Sequence, residues 1–90
     1  MNTSELIGYL AATLTTASFL PQAIKTIKTR DTDSLSLGMY GMFASGVLLW
    51  FIYGIYLSNE AIIIANAITF VLAVMILAVK IYNTVLNKDQ

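Results

Sequence analysis

The charged residues of this 90-residue chain are confined to a few short places along it. They lie at Glu5, from Lys25 to Asp33, at Glu60, at Lys80 and in the pair Lys88 and Asp89. Three uncharged stretches separate them, residues 6–24, 34–59 and 61–79. Each is about as long as the roughly 20 residues that a helix needs to cross ~30 Å of hydrocarbon. The pattern predicts three transmembrane helices, near residues 5–26, 36–57 and 61–83.

The composition agrees with a membrane protein and excludes several functions. Hydrophobic residues make up 58% of the chain and charged residues 11%, which leaves too little polar surface to cover a soluble core. The chain has no cysteine and no histidine, and its formal net charge is zero. We therefore expect no metal, no cofactor and no nucleic-acid partner. An enzyme is also not expected, because the spans hold no base, thiol or acid for catalysis.

The basic residues predict the orientation of the chain in the membrane. Lys25, Lys28 and Arg30 lie in the first loop, and Lys80 and Lys88 lie near the carboxyl end. With three spans, all of them fall on one side. Because basic residues in short loops stay in the cytoplasm, we expect the amino end outside and the carboxyl end inside. The first loop is polar, and we expect it to be long enough to be mobile.

A proline interrupts the first helix in its cytoplasmic half. Pro21 cannot donate a hydrogen bond to the carbonyl of Ala17, and its ring crowds that carbonyl, so the helix should bend or loosen there. Two interpretations remain open. Pro21 is either a static kink, which is common in membrane helices, or a hinge for the cytoplasmic third of the helix.

The second helix carries an aromatic stripe that extends through the depth of the membrane. At 100° per residue, Met39, Phe43, Gly46, Trp50, Tyr53 and Leu57 share one face. Trp50 lies about 10 Å from the end of its helix, too deep for an interfacial aromatic belt.

Asn66 on the third helix lies at a similar depth, about 9 Å in, so the indole of Trp50 and this carboxamide can face each other. A carboxamide in hydrocarbon needs a partner. Two interpretations stay open: an interhelical hydrogen bond that only packs the bundle, or a site that binds a sugar by its hydroxyl edges and its C–H face.

The first helix also carries hydroxyl groups close to the bilayer centre, on Thr13, Thr15, Thr16 and Ser18. Such groups often donate to a carbonyl one turn back in their own helix. This belt alone does not indicate a site.

Several short motifs together resemble a SemiSWEET, a bacterial sugar transporter of the PQ-loop group. They are Pro21 with Gln22 and the basic stretch that follows, "MYGMF" at 39–43, "WFIYG" at 50–54 and "IANAIT" at 64–69. The resemblance covers nearly the whole chain. It implies an all-α bundle of three transmembrane helices, with helix 3 between helices 1 and 2, that forms a parallel homodimer in the bacterial inner membrane.

The resemblance also implies roles for single residues. Trp50 and Asn66 would bind a mono- or disaccharide at the dimer axis, and Pro21 with Gln22 would form the hinge for alternating access. Met39 and Phe43 would form the cytoplasmic gate, and Tyr53 and Leu57 the extracellular gate. Some relatives close the outer gate with an arginine and an acid, whereas this chain has Leu57, Ser58 and Asn59 there.

Two arguments from the residues themselves support this expectation. Three helices packed 8 to 10 Å apart, a typical separation, enclose no channel wide enough for a hexose, so a second copy is needed. The spans contain no Asp, Glu or His to hold a coupled proton, which predicts facilitated diffusion. The alternatives are a structural, hole-forming or accessory membrane subunit without a substrate, and a small multidrug exporter, which would need a carboxylate in the membrane.

Overall fold

The chain forms three long helices in the computed structural model, which describes residues 2–86. They are α1 (Thr3–Thr29), α2 (Leu37–Leu57) and α3 (Glu60–Val85). The predicted bounds agree with these within three residues at every end. Each helix begins after a polar side chain that accepts a hydrogen bond from a first-turn N–H: Asn2, Ser36 and Asn59. Lys88 and Asp89, which the sequence assigns to the carboxyl-terminal tail, lie outside the described residues.

Helix α3 lies between the other two helices. It packs against both α1 and α2, while no pair of Cα atoms within 8 Å joins α1 to α2 among the described residues. This confirms the predicted order of helix 1, helix 3, helix 2. The Cα atoms span 50 × 23 × 15 Å, so the bundle is a flattened slab whose shortest dimension is 15 Å. Its loop end carries residues 30–36, and its hairpin end carries Ser58 and Asn59.

Small side chains allow the helices to approach closely. The buried apolar residues are mostly alanines, among them Ala44, Ala61 and Ala73. Gly54 lets α2 and α3 approach closely at the hairpin, because a Cβ atom built there would lie 2.7 Å from Cγ2 of Ile62. The αL conformation of Ser58, with φ of 51°, then reverses the chain.

Most of the large apolar side chains point away from this small core. Helices α2 and α3 have mean hydropathies of 1.5 and 2.8 in their most apolar windows, and only 17% of either window is buried inside the protein. A soluble protein would bury such helices. The exposed apolar surface of these two helices therefore indicates a membrane protein.

Helix α1 is less apolar than the other two, but several of its hydroxyl groups form hydrogen bonds within the helix. It continues through Pro21 without interruption from Thr3 to Thr29. The hydroxyls of Thr13, Thr15 and Ser18 donate to carbonyls of their own helix at 2.7 to 3.0 Å. As expected, these three hydroxyls return their bond to the helix, which lets α1 lie in apolar surroundings.

The loop between α1 and α2 is tied to the end of α3. The buried Lys80 ammonium donates to the carbonyl of Thr32 at 3.0 Å. Asn83 donates from its amide nitrogen to the carbonyl of Arg30 and to the hydroxyl of Thr32, both at 2.9 Å. We call Thr32, Lys80 and Asn83 the loop anchor. The loop was expected to be long enough to be mobile, whereas its backbone carbonyls at Arg30 and Thr32 are bound by side chains of α3.

We expect Lys80→Met to lower the free energy of unfolding by about 1–3 kcal/mol, because it leaves the buried Thr32 carbonyl without this donor. Thermal unfolding in detergent, followed by circular dichroism, measures the change. Lys28→Met is the matched control, since Lys28 is exposed in the last turn of α1, and its effect should stay within about 0.5 kcal/mol. Equal unfolding midpoints for the two variants would contradict the role of the loop anchor.

Candidate functional site

A cavity of about 390 Å³ opens in the middle of the slab, and all three helices line it. We call it the central cavity. Trp50 and Asn66 both line it, as their matching depths predict. The remaining lining residues are Thr15, Thr16 and Phe19 of α1, Phe43 and Val47 of α2, and Ala65 and Thr69 of α3.

Asn66 does not bind another helix of its own chain. Its amide nitrogen donates to the carbonyl of Ile62, one turn back in α3, at 2.8 Å. Among the described residues its side-chain oxygen has no hydrogen-bond donor. The interhelical bond of the packing interpretation is therefore absent within one protomer, and the half-buried amide presents an acceptor to the central cavity.

Trp50 presents its ring to open space instead of to a packed core. Its side chain is 56% exposed in the single chain. The ring of Tyr53 meets it edge to face, with ring centroids 5.6 Å apart and planes at 76°. Trp50 and Tyr53 also line a shallow hollow of about 320 Å³ with Gly46 and Leu49. Three residues of the predicted stripe, Gly46, Trp50 and Tyr53, thus lie together on one face of α2.

Two threonines add acceptors to the wall of the central cavity. Thr15 donates its hydroxyl hydrogen to the carbonyl of Ala11 at 3.0 Å, and Thr69 donates to that of Ala65 at 2.8 Å. Each hydroxyl oxygen keeps lone pairs that face no donor in the described part of the chain. The wall therefore combines hydrogen-bond acceptors with the apolar rings of Phe19, Phe43 and Trp50.

The sequence alone indicates Thr15 and Thr16 only as part of a hydroxyl belt, and it indicates no role for Phe19, Val47 or Thr69. Helical spacing carries a signal for them. Phe43, Val47 and Trp50 follow the i, i+4, i+7 pattern of one helix face, and Asn66 and Thr69 are three residues apart. Extension of the Trp50 and Asn66 faces by one turn would have found Val47 and Thr69.

At the loop end of the central cavity, the ring of Phe43 packs against two other aromatic rings. Its centroid lies 6.1 Å from that of Phe19 on α1 and 5.6 Å from that of Tyr40. The contact between Phe19 and Phe43 thus links α1 to α2, although no Cα atoms of these two helices lie within 8 Å of each other in the described residues. The other residue of the predicted cytoplasmic gate, Met39, is 73% exposed and lines none of the cavities described in this chain.

At the hairpin end, Leu57 lines a separate cavity of about 410 Å³ with Ser58, Asn59 and Glu5. Here the hydroxyl of Tyr9 donates to a carboxylate oxygen of Glu60 at 2.9 Å. This bond ties the outer part of α1 to the first turn of α3. The structure does not bring Tyr53 and Leu57 to the same cavity.

The two residues predicted to form the hinge lie near the loop end of α1. Pro21 is exposed, and Gln22 lines a cavity of about 220 Å³ next to the loop. Residues 2–86 contain no group of three or more acidic, cysteine or histidine side chains placed to hold a metal ion.

Comparison with known proteins gives one consistent result. The family model for the PQ loop repeat matches residues 3–63 of the chain. The sugar transporter SemiSWEET of Escherichia coli (strain UMEA 3162-1) is 47% identical over 83 residues, which cover 92% of this chain and 93% of that protein. The sugar transporter SemiSWEET of Leptospira biflexa is 50% identical over 77 residues, covering 86% and 91%.

Solved structures agree with these sequences. A crystal structure of SemiSWEET in the inward-open conformation superposes with a TM-score of 0.90 at 44% identity, covering 98% of this chain and 95% of that one. A crystal structure of a bacterial homologue of SWEET transporters gives a TM-score of 0.76 at 37% identity, covering 90% and 98%.

Proposed function

Because the chain belongs to the SemiSWEET family of PQ-loop proteins, we propose that it is a facilitative sugar transporter whose solute binds in the central cavity. Trp50 and Asn66 are the binding residues in this proposal. The relatives are named as sugar transporters, and the central cavity of this chain has a lining that suits such a solute.

The unpaired acceptors of the central cavity are the observation that carries the proposal. A sugar is rich in O–H donors along its edges and has apolar C–H faces. The Asn66 oxygen and the hydroxyl oxygens of Thr15 and Thr69 would accept from those donors, while the exposed ring of Trp50 would contact a C–H face. A purely structural contact would need neither the volume nor the open acceptors.

A second copy of the chain would complete the site. One protomer leaves the indole of Trp50 56% exposed and Met39 and Leu49 73% and 67% exposed, all on α2. Parallel pairing about an axis along the membrane normal would bring two such faces together and enclose the solute. Parallel repeats of this kind are an established transporter architecture, and SWEETs are one example of it.

Alternating access would then depend on the two ends of the bundle. We place the loop end in the cytoplasm, since Lys25, Lys28 and Arg30 lie there. The Phe43 contacts, with Met39 from both copies, would form the cytoplasmic gate, and Tyr53 with Leu57 the extracellular one. Pro21 leaves the carbonyl of Ala17 without its usual donor, so α1 has a weak point at which Pro21 and Gln22 would act as a hinge.

Transport by this chain should be passive. Residues 6–24, 34–59 and 61–79 contain no side chain that could carry a coupled proton. In proteoliposomes, we expect internal radiolabelled sugar to rise to the external concentration and stop there, and an imposed pH gradient should not change the plateau. Accumulation above the external concentration under that gradient would contradict uniport.

Three substitutions test the site and the hinge in the same uptake assay. We expect Trp50→Ala and Asn66→Ala to abolish uptake, because they remove the stacking ring and the amide. Pro21→Ala should slow uptake by restoring the hydrogen bond to Ala17 and stiffening α1. Met42→Ala is the control, since Met42 is 78% exposed and lines none of the described cavities, and it should transport like the unmodified chain.

The size of the protein in detergent is measured for each variant, so that a lost dimer is not mistaken for a lost site. Normal uptake by Trp50→Ala or Asn66→Ala would instead favour a structural or accessory subunit, in which these residues only pack. An unchanged rate in Pro21→Ala would make the proline a static kink.

A further inference from the structure

The cavity at the loop end of the bundle is a candidate for a second site. It has a volume of about 220 Å³ and is lined by α1, the loop, the start of α2 and Ile76 of α3. Gln22, Lys25, Asp31, Ser34 and Tyr40 contribute its polar lining. The loop anchor holds this wall in place, since Lys80 and Asn83 fix the backbone of Arg30 and Thr32 beside it.

Several polar groups of this cavity have no partner within the described part of the chain. The amide of Gln22 and the hydroxyl of Tyr40 make no hydrogen bond there, and the ammonium of Lys25 makes no ion pair. Tyr40 is only partly exposed, and its hydroxyl can bond to a polar group inside the cavity. The cavity therefore offers both donors and acceptors to a ligand.

The charges indicate what class of ligand fits. Lys25 and Asp31 line the same cavity, so its walls carry one charge of each sign. A carboxylate beside the ammonium disfavours an anion, and the ammonium disfavours a cation. The rings of Tyr40 and Phe19 add apolar faces. A neutral polyhydroxylated molecule can accept a hydrogen bond from Lys25, donate one to Asp31 and place a C–H face on an aromatic ring.

Phe19 connects this cavity with the central one. Its side chain lines both cavities, and its ring contacts Phe43, which in turn contacts Tyr40. A rotation of this single side chain would change the wall that the two cavities share. The loop-end cavity thus lies directly beside the proposed binding site, on the side of the proposed cytoplasmic exit.

We propose that the loop-end cavity is a second, weaker binding site for the same neutral polyhydroxylated solute, occupied between the central cavity and the cytoplasm. The inference rests on the proposed function, because a sugar would move past Phe19 into this cavity only if the chain transports it. The loop-end cavity is the smaller of the two, at about 220 Å³ against 390 Å³, and should bind the solute less tightly.

A single tryptophan placed in the cavity tests the proposal. Trp50 is the only tryptophan of the chain, so Leu35→Trp combined with Trp50→Phe reports from the loop-end cavity alone. Its fluorescence is titrated with D-glucose and with sucrose in detergent, where both ends of the protein are accessible. We expect a saturable change with at least one of them. Ser34→Trp in the same background is the second reporter, in case Leu35→Trp does not fold.

Three comparisons make the result specific. Gln22→Leu added to the reporter should raise the half-saturating concentration by about three- to tenfold, the cost of one or two lost hydrogen bonds. Leu86→Trp with Trp50→Phe is the matched control, because Leu86 follows α3 at the same end and lines none of the described cavities; it should not respond. Glycine betaine at equal osmolality should change none of the variants.

Uptake by the unmodified chain is measured in parallel with the same two sugars. If a sugar is transported but neither reporter responds to it, or if Gln22→Leu leaves the half-saturating concentration unchanged, the second site is wrong and the proposed function stands. If the unmodified chain transports no sugar, the proposed function itself fails.

Discussion

A polar group surrounded by hydrocarbon must find a hydrogen-bond partner in the protein or lie in a cavity that admits water. This constraint sorts the polar side chains of the bundle. Thr13, Ser18 and Ser45 return their hydrogens to their own helices at 2.7 to 2.8 Å. Asn66 satisfies only one of its amide hydrogens in this way. The side-chain oxygen of Asn66 accepts no hydrogen bond from the described residues and faces a cavity lined by three helices. This free acceptor is the reason to regard the cavity as a binding site.

Helix α3 is the framework on which the other two helices are held. At the hairpin end, Glu60 accepts a hydrogen bond from Tyr9 of α1. At the loop end, Lys80 and Asn83 bind the loop that follows α1. Between these ties, α1 and α2 approach each other only through side chains, with Phe19 and Phe43 in contact. The slab is thus fixed to α3 at both ends and open in the middle, where a transporter needs room for its solute.

The same arrangement limits which parts of the chain could move in a transport cycle. Because the loop is bound to α3, the part of α1 after Pro21 would carry the loop and the end of α3 with it. Pro21 lies just before that unit, and Phe19, two residues before Pro21, lies at the wall of the central cavity. A small change in α1 at Pro21 would therefore act directly on the contact between Phe19 and Phe43.

Much of this architecture could be predicted from the spacing of charges, because a helix must be free of charge for the thickness of the hydrocarbon. The depth of Trp50 and of Asn66 followed from the rise per residue, and the structure brings both to one cavity. The roles of Phe19 and Thr69 in the cavity wall could not be predicted in this way. They depend on the rotation of each helix about its axis, which packing sets. The loop anchor was missed because a lysine at a helix end is ordinarily solvated, whereas Lys80 is 1% exposed.

The central claim is that the cavity at Trp50 and Asn66 is wet and admits a sugar. The chain has no cysteine, so a single Thr69→Cys variant measures this with a charged thiol reagent in membranes. Ile64→Cys is the control on the same helix, since Ile64 lines an apolar groove between α1 and α3 instead of the central cavity. The thiolate that reacts forms only in water, so the Thr69→Cys thiol should react roughly tenfold faster or more, and the transported sugar should slow it. Equal rates at the two positions, with no protection by sugar, would contradict the account.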